Sequence, residues 1–552
     1  MRSLSNGARG LKCKGTREKK MRTLERWAAT LKYYSTWLVF VLLVIALSAP
    51  ASASQARWKE LDKKVGMFLR EGRYSEGVAT AQEELRVAEA TFGPEHAAVA
   101  KSMDNLAQLY AAQGNYPDAE RFYKRSLAIA ETIFGPEDID VAKSMNNLAQ
   151  LYASQAKYAE AESLSLHSLR ILEKTSGKES SAVGTILNNL AELYSAEGKY
   201  AEAEPLFSRS LAIDEKAFGS EDARTAKVLG NWAFLYRREG KYAAAEPLYE
   251  RALAIEQKSL GPDHADVATI QNNLADLYYA EGKYREAEPL FKQSLVIREK
   301  HLGAGHPDVA ASLNNLAELY RTEGRYTEAE PLYTRSRTII EKTLGPNHPS
   351  AAESLNNLAL LYRAEGKLAE AEPLLKQSLA IKEKALAPDH PDLARAINNL
   401  AEIYRAEGKY AAAEPMYRRA LSIDQKALGP DHPVVAGLLS NLALLYSAQG
   451  NYVEAEPLYK TSLAIREKQL GAEHPDVATS LNNLAELYRA QGKYADAEPL
   501  YRRALVILEK AVGPNHPDVA TVLANYSRLL RKVNREQEAQ ELETRVQTIR
   551  AK

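Results

Sequence analysis

The residues best able to do chemistry recur at one spacing. His96, His264, His306, His348, His390, His432, His474 and His516 share a register set by a step of 42. Imidazoles in register invite a metal reading. A metal needs ligand atoms about 2 Å from it, hence a few ångströms apart. Equivalent positions on stacked helix pairs stand roughly 8–10 Å apart. Adjacent histidines therefore cannot share an ion, and no metal site is expected. Each ring is expected to cap the helix that follows it, ahead of a residue such as Pro307.

Paired asparagines come next: Asn272 and Asn273, Asn314 and Asn315, Asn356 and Asn357, Asn398 and Asn399, Asn482 and Asn483. An amide carries both a donor and an acceptor. These pairs could hold the backbone of an extended peptide of any sequence. They could equally bond across to the next repeat and hold the stack together. A line of arginines lies on the same flank: Arg237, Arg321, Arg363, Arg405, Arg489 and Arg531. Guanidinium grips carboxylate in a bidentate fork, so the line suits an acidic partner segment. The alternative is an internal pair with Glu318, Glu402 or Glu486 three residues earlier, worth a few tenths of a kcal/mol. Arg363 lacks that partner, because Leu360 stands there. Phe234, Leu360 and Leu444 make the acidic position apolar, and Tyr279 takes an arginine position. Exposed in a concave site, they would anchor a ligand; otherwise they repack against a variant repeat. No phosphate loop, nucleophile elbow, HExxH or cysteine-based site accompanies them. The chain is expected to be no enzyme and to need no cofactor.

A repeat positions all of these groups. Asn105, Asn147, Asn189, Asn231, Asn273, Asn315, Asn357, Asn399, Asn441, Asn483 and Asn525 follow one another at 42 without an insertion. Tyr110 to Tyr488 and Gly114 to Gly492 keep the same step, with Ala156 replacing one glycine. Gly72 and Tyr74 extend the register upstream, giving twelve units with degenerate ends. Each unit reads as two helices. In 307–322, Val309, Leu313, Leu316 and Tyr320 form the helical stripe. Pro307 suits a first helical position and Gly324 a left-handed cap. The second helix should run from about Tyr326 to Leu344. Pro289 and Pro331 are expected in the first turn of such helices, where no donor is lost. Ala317 and Ala329 are small enough for close helix approach, and the tyrosine hydroxyls need partners at the edge. One hairpin cannot bury both its apolar faces, so hairpins must stack. Residues 534–552 read as a capping helix.

Leu313 to Tyr333 carries L-x-x-L-A-x-L-Y-x-x-x-G-x-Y-x-x-A-x-x-x-Y, which resembles a tetratricopeptide repeat. The 42-residue period, the Asn-Asn-Leu-Ala core and the Gly-Pro-x-His-Pro linker resemble its kinesin-light-chain subclass. The resemblance covers residues 57–552. It implies an all-α fold: a right-handed superhelical solenoid of about twelve antiparallel helix pairs. It also implies that the first helices line a concave groove for peptides or protein segments. A kinesin light chain carries a heptad coiled coil ahead of its repeats, whereas this chain carries an apolar address, so a motor-adaptor role is not expected.

Formal charge is zero, from 72 Lys and Arg against 72 Asp and Glu. Residues 1–53 hold ten Lys or Arg and two Glu, so the remainder sums to −8. An acidic body argues against nucleic acid, which demands a concentrated basic face. Trp37 to Leu47 is an apolar run with basic residues before it and Ala51-Ser52-Ala53 after it. That is the pattern of a secretory signal, with cleavage between Ala53 and Ser54. Eleven helical residues span about 16 Å, short of the roughly 30 Å of a bilayer core. An uncleaved anchor in the inner membrane is the alternative, and Met21 competes with Met1 as the start. The only cysteine, Cys13, precedes the run, so the exported part would hold no thiol.

The sequence thus predicts a signal segment over 1–53, a repeat solenoid over 57–533 and the cap over 534–552. The expected function is an exported scaffold, periplasmic or secreted, binding a protein or extended peptide. The membrane enters only through an uncleaved N-terminal segment. A spacer or self-assembling envelope element is the competing class. The regular repeats from Asn272 to Arg489 are the expected binding stretch.

Overall fold

The computed structural model describes residues 53–551, with Trp27, Lys32, Tyr33 and Trp37 as isolated positions further upstream. The expected signal segment lies outside the described residues, except for Trp27, Lys32, Tyr33, Trp37 and Ala53. Ala53 and Ser54 are helical, in α1, described over 53–70. Twenty-three further helices follow, α2 (Tyr74–Phe92) to α24 (Glu536–Arg550), and no strand occurs among the described residues. Odd-numbered helices open a hairpin and even-numbered helices close it, giving twelve hairpins. No helix among the described residues is long and apolar enough to cross a membrane.

The hairpin of α13 (Pro307–Thr322) and α14 (Tyr326–Thr343) shows why the repeat folds this way. His306 Nδ1 accepts from the Asp308 N–H at 3.1 Å, satisfying one orphan donor of the helix start. At the other end Gly324 adopts φ 74°. Its N–H donates to Arg321 C=O at 3.1 Å, and Arg325 N–H donates to Tyr320 C=O at 2.8 Å. This paired closure needs a left-handed residue, which glycine supplies without a Cβ penalty. Val309, Leu313, Leu316 and Tyr320 are buried, and Ala317 and Ala329 are wholly so. Ser336 donates to Ala310 C=O at 2.8 Å, tying the two helices together inside the core.

The prolines correct one expectation. α12 (Tyr284–Leu302) does start at the tyrosine, but Pro289 is its sixth residue, in the second turn. Pro331 holds the same place in α14. An intrahelical hydrogen bond is therefore forgone at each, because the ring nitrogen has no proton to give. The start is fixed by the preceding glycine turn, not by the proline.

Hairpins stack through the tyrosines. The Tyr320 hydroxyl donates to Glu288 of the preceding hairpin at 2.8 Å, and Tyr194, Tyr236, Tyr278, Tyr362 and Tyr446 repeat the bond. Successive first helices touch along the stack, as α5 (Ile139–Ser154) touches α7 (Ser181–Ala196) and α7 touches α9 (Ala223–Arg238). No successive second helices come as close. The first helices therefore line the inner side of the curve and the second helices the outer side. The last helix, α24, buries only Ala539, Val546 and Ile549.

Candidate protein-binding face and the joint between turns

The inner face carries the asparagines. They form a ladder: Asn315 donates to Asn272 at 3.1 Å, Asn399 to Asn356 at 2.8 Å, Asn441 to Asn398 at 2.9 Å and Asn525 to Asn482 at 3.0 Å. Asn272, Asn356 and Asn482 are buried. Asn273, Asn314, Asn315, Asn357, Asn398, Asn399 and Asn483 are half-buried. Each rung joins one hairpin to the next, so the stacking use of these amides is present at three rungs within the regular stretch and at a fourth just beyond it. Asn314 Oδ1 is buried without a partner.

The arginines divide into held and loose members. Arg321 forks onto Glu318, Arg405 onto Glu402 and Arg489 onto Glu486. Each glutamate is also reached by a tyrosine hydroxyl, from Tyr333, Tyr417 and Tyr501 respectively. Burial pushes the Glu318 carboxyl up, but Arg321 outweighs it and holds it below the usual range. These three guanidiniums are committed within the protein. Arg363 reaches only Glu402, at 4.0 Å, and its side chain is 39% exposed against 23–25% for the other three.

The apolar substitutions also divide. Phe234 and Leu444 are exposed. The Arg237 guanidinium lies 4.9 Å from the centre of the Phe234 ring. Leu360 and Tyr279 are half-buried. Tyr279 is drawn into the wall, its hydroxyl 2.8 Å from Thr322 Oγ1.

The linker histidines do what their spacing predicts, and more. Nδ1 accepts a backbone N–H at every one of the eight. In the second half of the chain the other ring nitrogen meets a distant helix. His306 Nε2 lies 3.2 Å from Arg70 C=O, His390 Nε2 3.4 Å from Ser154 C=O, and His474 Nε2 3.3 Å from Arg238 C=O. The partners are 236 residues apart each time. Each carbonyl is the last of a first helix, and each histidine opens the first helix six hairpins later. Six hairpins therefore complete one superhelical turn, and the twelve make two turns in contact. The Nδ1 cap fixes the neutral tautomer with hydrogen on Nε2, so the ring donates to an orphan carbonyl of the turn above. His348 and His432 sit alike against Gly114 and Gly198, although their Nε2 atoms find no partner. Sequence reading assigned the cap and missed the joint, because one step of 42 says nothing about when the coil closes on itself.

This is the architecture of a stacked helical-hairpin solenoid, and comparison with known proteins agrees. A tetratricopeptide repeat model matches ten overlapping segments that together span residues 61–300 and 308–552. A second model of the same description matches 272–342. The chain belongs to the tetratricopeptide repeat family. It is similar to a putative kinesin light chain from Podosopora anserina with nearly identical TPR-like repeats. That match is 34% identical over 37% of this chain and 97% of the other, with a TM-score of 0.32. It is similar to BtubC (BKLC) from P. vanneervenii at 28% identity, over 42% of this chain and 92% of the other, with a TM-score of 0.36. A Rap protein complexed with competence and sporulation factor is 17% identical over 67% of this chain and 99% of the other, with a TM-score of 0.45. The repeats are of the kinesin-light-chain-like kind. No curated protein matches the chain.

Proposed function

We propose that the protein is an exported scaffold that holds a protein or extended peptide along the inner face of its coil. Tetratricopeptide repeats generally bind proteins or peptides. The observation that carries the reading is the unbroken wall of first helices, on which Arg363, Phe234 and Leu444 stay accessible among committed neighbours. Affinity would come from many modest contacts along the ligand. A loose arginine between apolar anchors suits a segment with spaced acidic and apolar side chains.

A photoreactive residue at position 363 tests this in the native cell. The expected result is a crosslink to one foreign protein, lost when Phe234 and Leu444 are both changed to Ser. A concentration-dependent homopolymer with no foreign adduct would favour the spacer class instead. Asn315→Ala with Asn357→Ala separates the two uses of the amides. Weakened binding at unchanged unfolding temperature supports contact with the ligand. Lost stability with binding per folded molecule intact assigns the amides to stacking. N-terminal sequencing of the exported protein tests the address: release predicts a start at Ser54, and an anchor predicts an intact Trp37–Leu47 segment.

A further inference from the structure

A cavity of about 580 Å³ lies between the two turns, walled by α18 (Tyr410–Leu428) and α19 (Pro433–Ala448) on one side and by Tyr158 and Tyr200 on the other. It is within the size range of small-ligand sites. One wall group lacks a partner. Asp424 is 2% exposed, and its Oδ1 has no hydrogen-bond partner. Its register holds Leu172, Ile340 and Leu508 in some hairpins and Asp214, Glu256, Arg298, Lys382 and Arg466 in others, so the position accepts an apolar side chain as well as a charged one. A buried, unpartnered carboxyl costs stability.

We propose that this inter-turn cavity binds a primary ammonium group, seated on Asp424 and Asp392 beside Tyr158. The inference does not depend on the inner-face reading above. The cavity's own cations are already occupied. Arg395 pairs with Asp392 at 2.9 Å and Glu353 at 3.0 Å. Arg238 gives Nη1 to Ser195 C=O at 2.6 Å, and Arg466 gives Nη1 to Ser480 Oγ at 2.9 Å and to Asp476 C=O at 3.0 Å. None reaches Asp424. Burial, and then the Asp392 charge, push the Asp424 carboxyl up to about 7. Tyr158 lines the same cavity as Asp392 and Asp424, so a cation seated there can meet its ring. Gly437 opens the space: a Cβ there would meet only Arg466 Nη2, at 3.8 Å, where other hairpins carry Glu353, Arg395 or Thr479. Further along the wall, Arg466 Nε is buried without a partner. It asks for an acceptor, which a lysine within a peptide supplies through its own carbonyl groups.

Calorimetric titration of the full chain with Nα-acetyl-lysine amide tests this, with Nα-acetyl-norleucine amide as the uncharged control and spermidine as a free polyamine. The lysine probe should bind at least tenfold more tightly than the norleucine probe. Affinity should rise from pH 6 to pH 8 as Asp424 ionises more readily. Asp392, Arg395, Arg238, His432, Arg466 and Asp476 also face the cavity, so Asp424→Leu must remove that pH dependence to assign it. Asp424→Leu should weaken binding at least tenfold while raising the unfolding temperature, which separates lost binding from misfolding. Glu256 is the internal control, since its Oε2 is also buried without a partner but lies outside the cavity. Glu256→Gln should leave binding unchanged. Tighter binding of spermidine than of the lysine probe would keep the site and make a free polyamine its ligand. Equal binding of the norleucine probe, no effect of Asp424→Leu, or no binding of either cation would overturn the proposal.

Discussion

The linkers of the first turn and those of the second differ at two residues. The first turn has His96-Ala97, Asp138-Ile139, Ser180-Ser181, Asp222-Ala223 and His264-Ala265. The second has His-Pro without exception, from His306-Pro307 to His516-Pro517. All eleven leading residues cap the helix that follows. Capping needs one acceptor, which Asp, Ser or His supplies. Only the second turn has a turn above it, and only imidazole has a second nitrogen to reach it. The glycines mirror this. A Cβ on Gly72, Gly240 or Gly282 would stand 2.5–2.8 Å from Pro307, Pro475 or His516, whereas one on Gly324, Gly366, Gly408, Gly450 or Gly492 would meet nothing within 4 Å. The same residue thus closes a helix in both turns and forms half of a joint in only one.

The sharpest way to break this asymmetry is His306→Ser, His390→Ser and His474→Ser together. Serine keeps the cap and removes three inter-turn hydrogen bonds, worth about 3 kcal/mol in all. The radius of gyration from small-angle scattering should rise, while His96→Ser with His264→Ser should leave it unchanged. Next in size is Gly282→Ala against Gly450→Ala. Both place alanine in the left-handed region, at roughly 1–2 kcal/mol. Only Gly282→Ala should also part the turns, because its Cβ would overlap His516. Acid should act in the same direction. Burial holds His348, His432, His474 and His516 below the ordinary imidazole range, His432 at about 4. The open coil takes up these protons more readily than the closed one. The joint is therefore fully stable above about pH 6.5 and weakens as pH falls toward 4. Scattering across pH 7.5 to 4.5 should show the coil lengthening, and a variant with His348, His432, His474 and His516 all changed to Ser should show less change. The smallest effect belongs to the one first-turn position that lost its glycine. Ala156 holds φ 55°, so Ala156→Gly should stabilise by about 1 kcal/mol in denaturant titration.

Much of this was legible in the residues. The stripe from Val309 to Tyr320 named the buried face, and Gly324 and His306 named the helix ends, because periodicity and caps act over one or two turns of chain. The proline rule misleads, since it puts Pro289 in a first turn and the residue stands in the second. Asn315 and Arg321 were ambiguous for a plain reason. Their partners, Asn272 and Glu318, are correctly typed for stacking and for ligand contact alike, and only the distances separate the uses.

Local chemistry therefore determined the hairpin, its period, its caps and the family. Those follow from contacts within about one repeat, which the chain spells out next to each other. The three-dimensional coil decided the rest: that Arg363 stays loose, that Asp424 faces a cavity, and that six histidines meet helix ends a turn away. A small rotation per hairpin, summed over six, brings residues 236 apart into contact. No single repeat encodes that sum, and only the assembled stack reveals it.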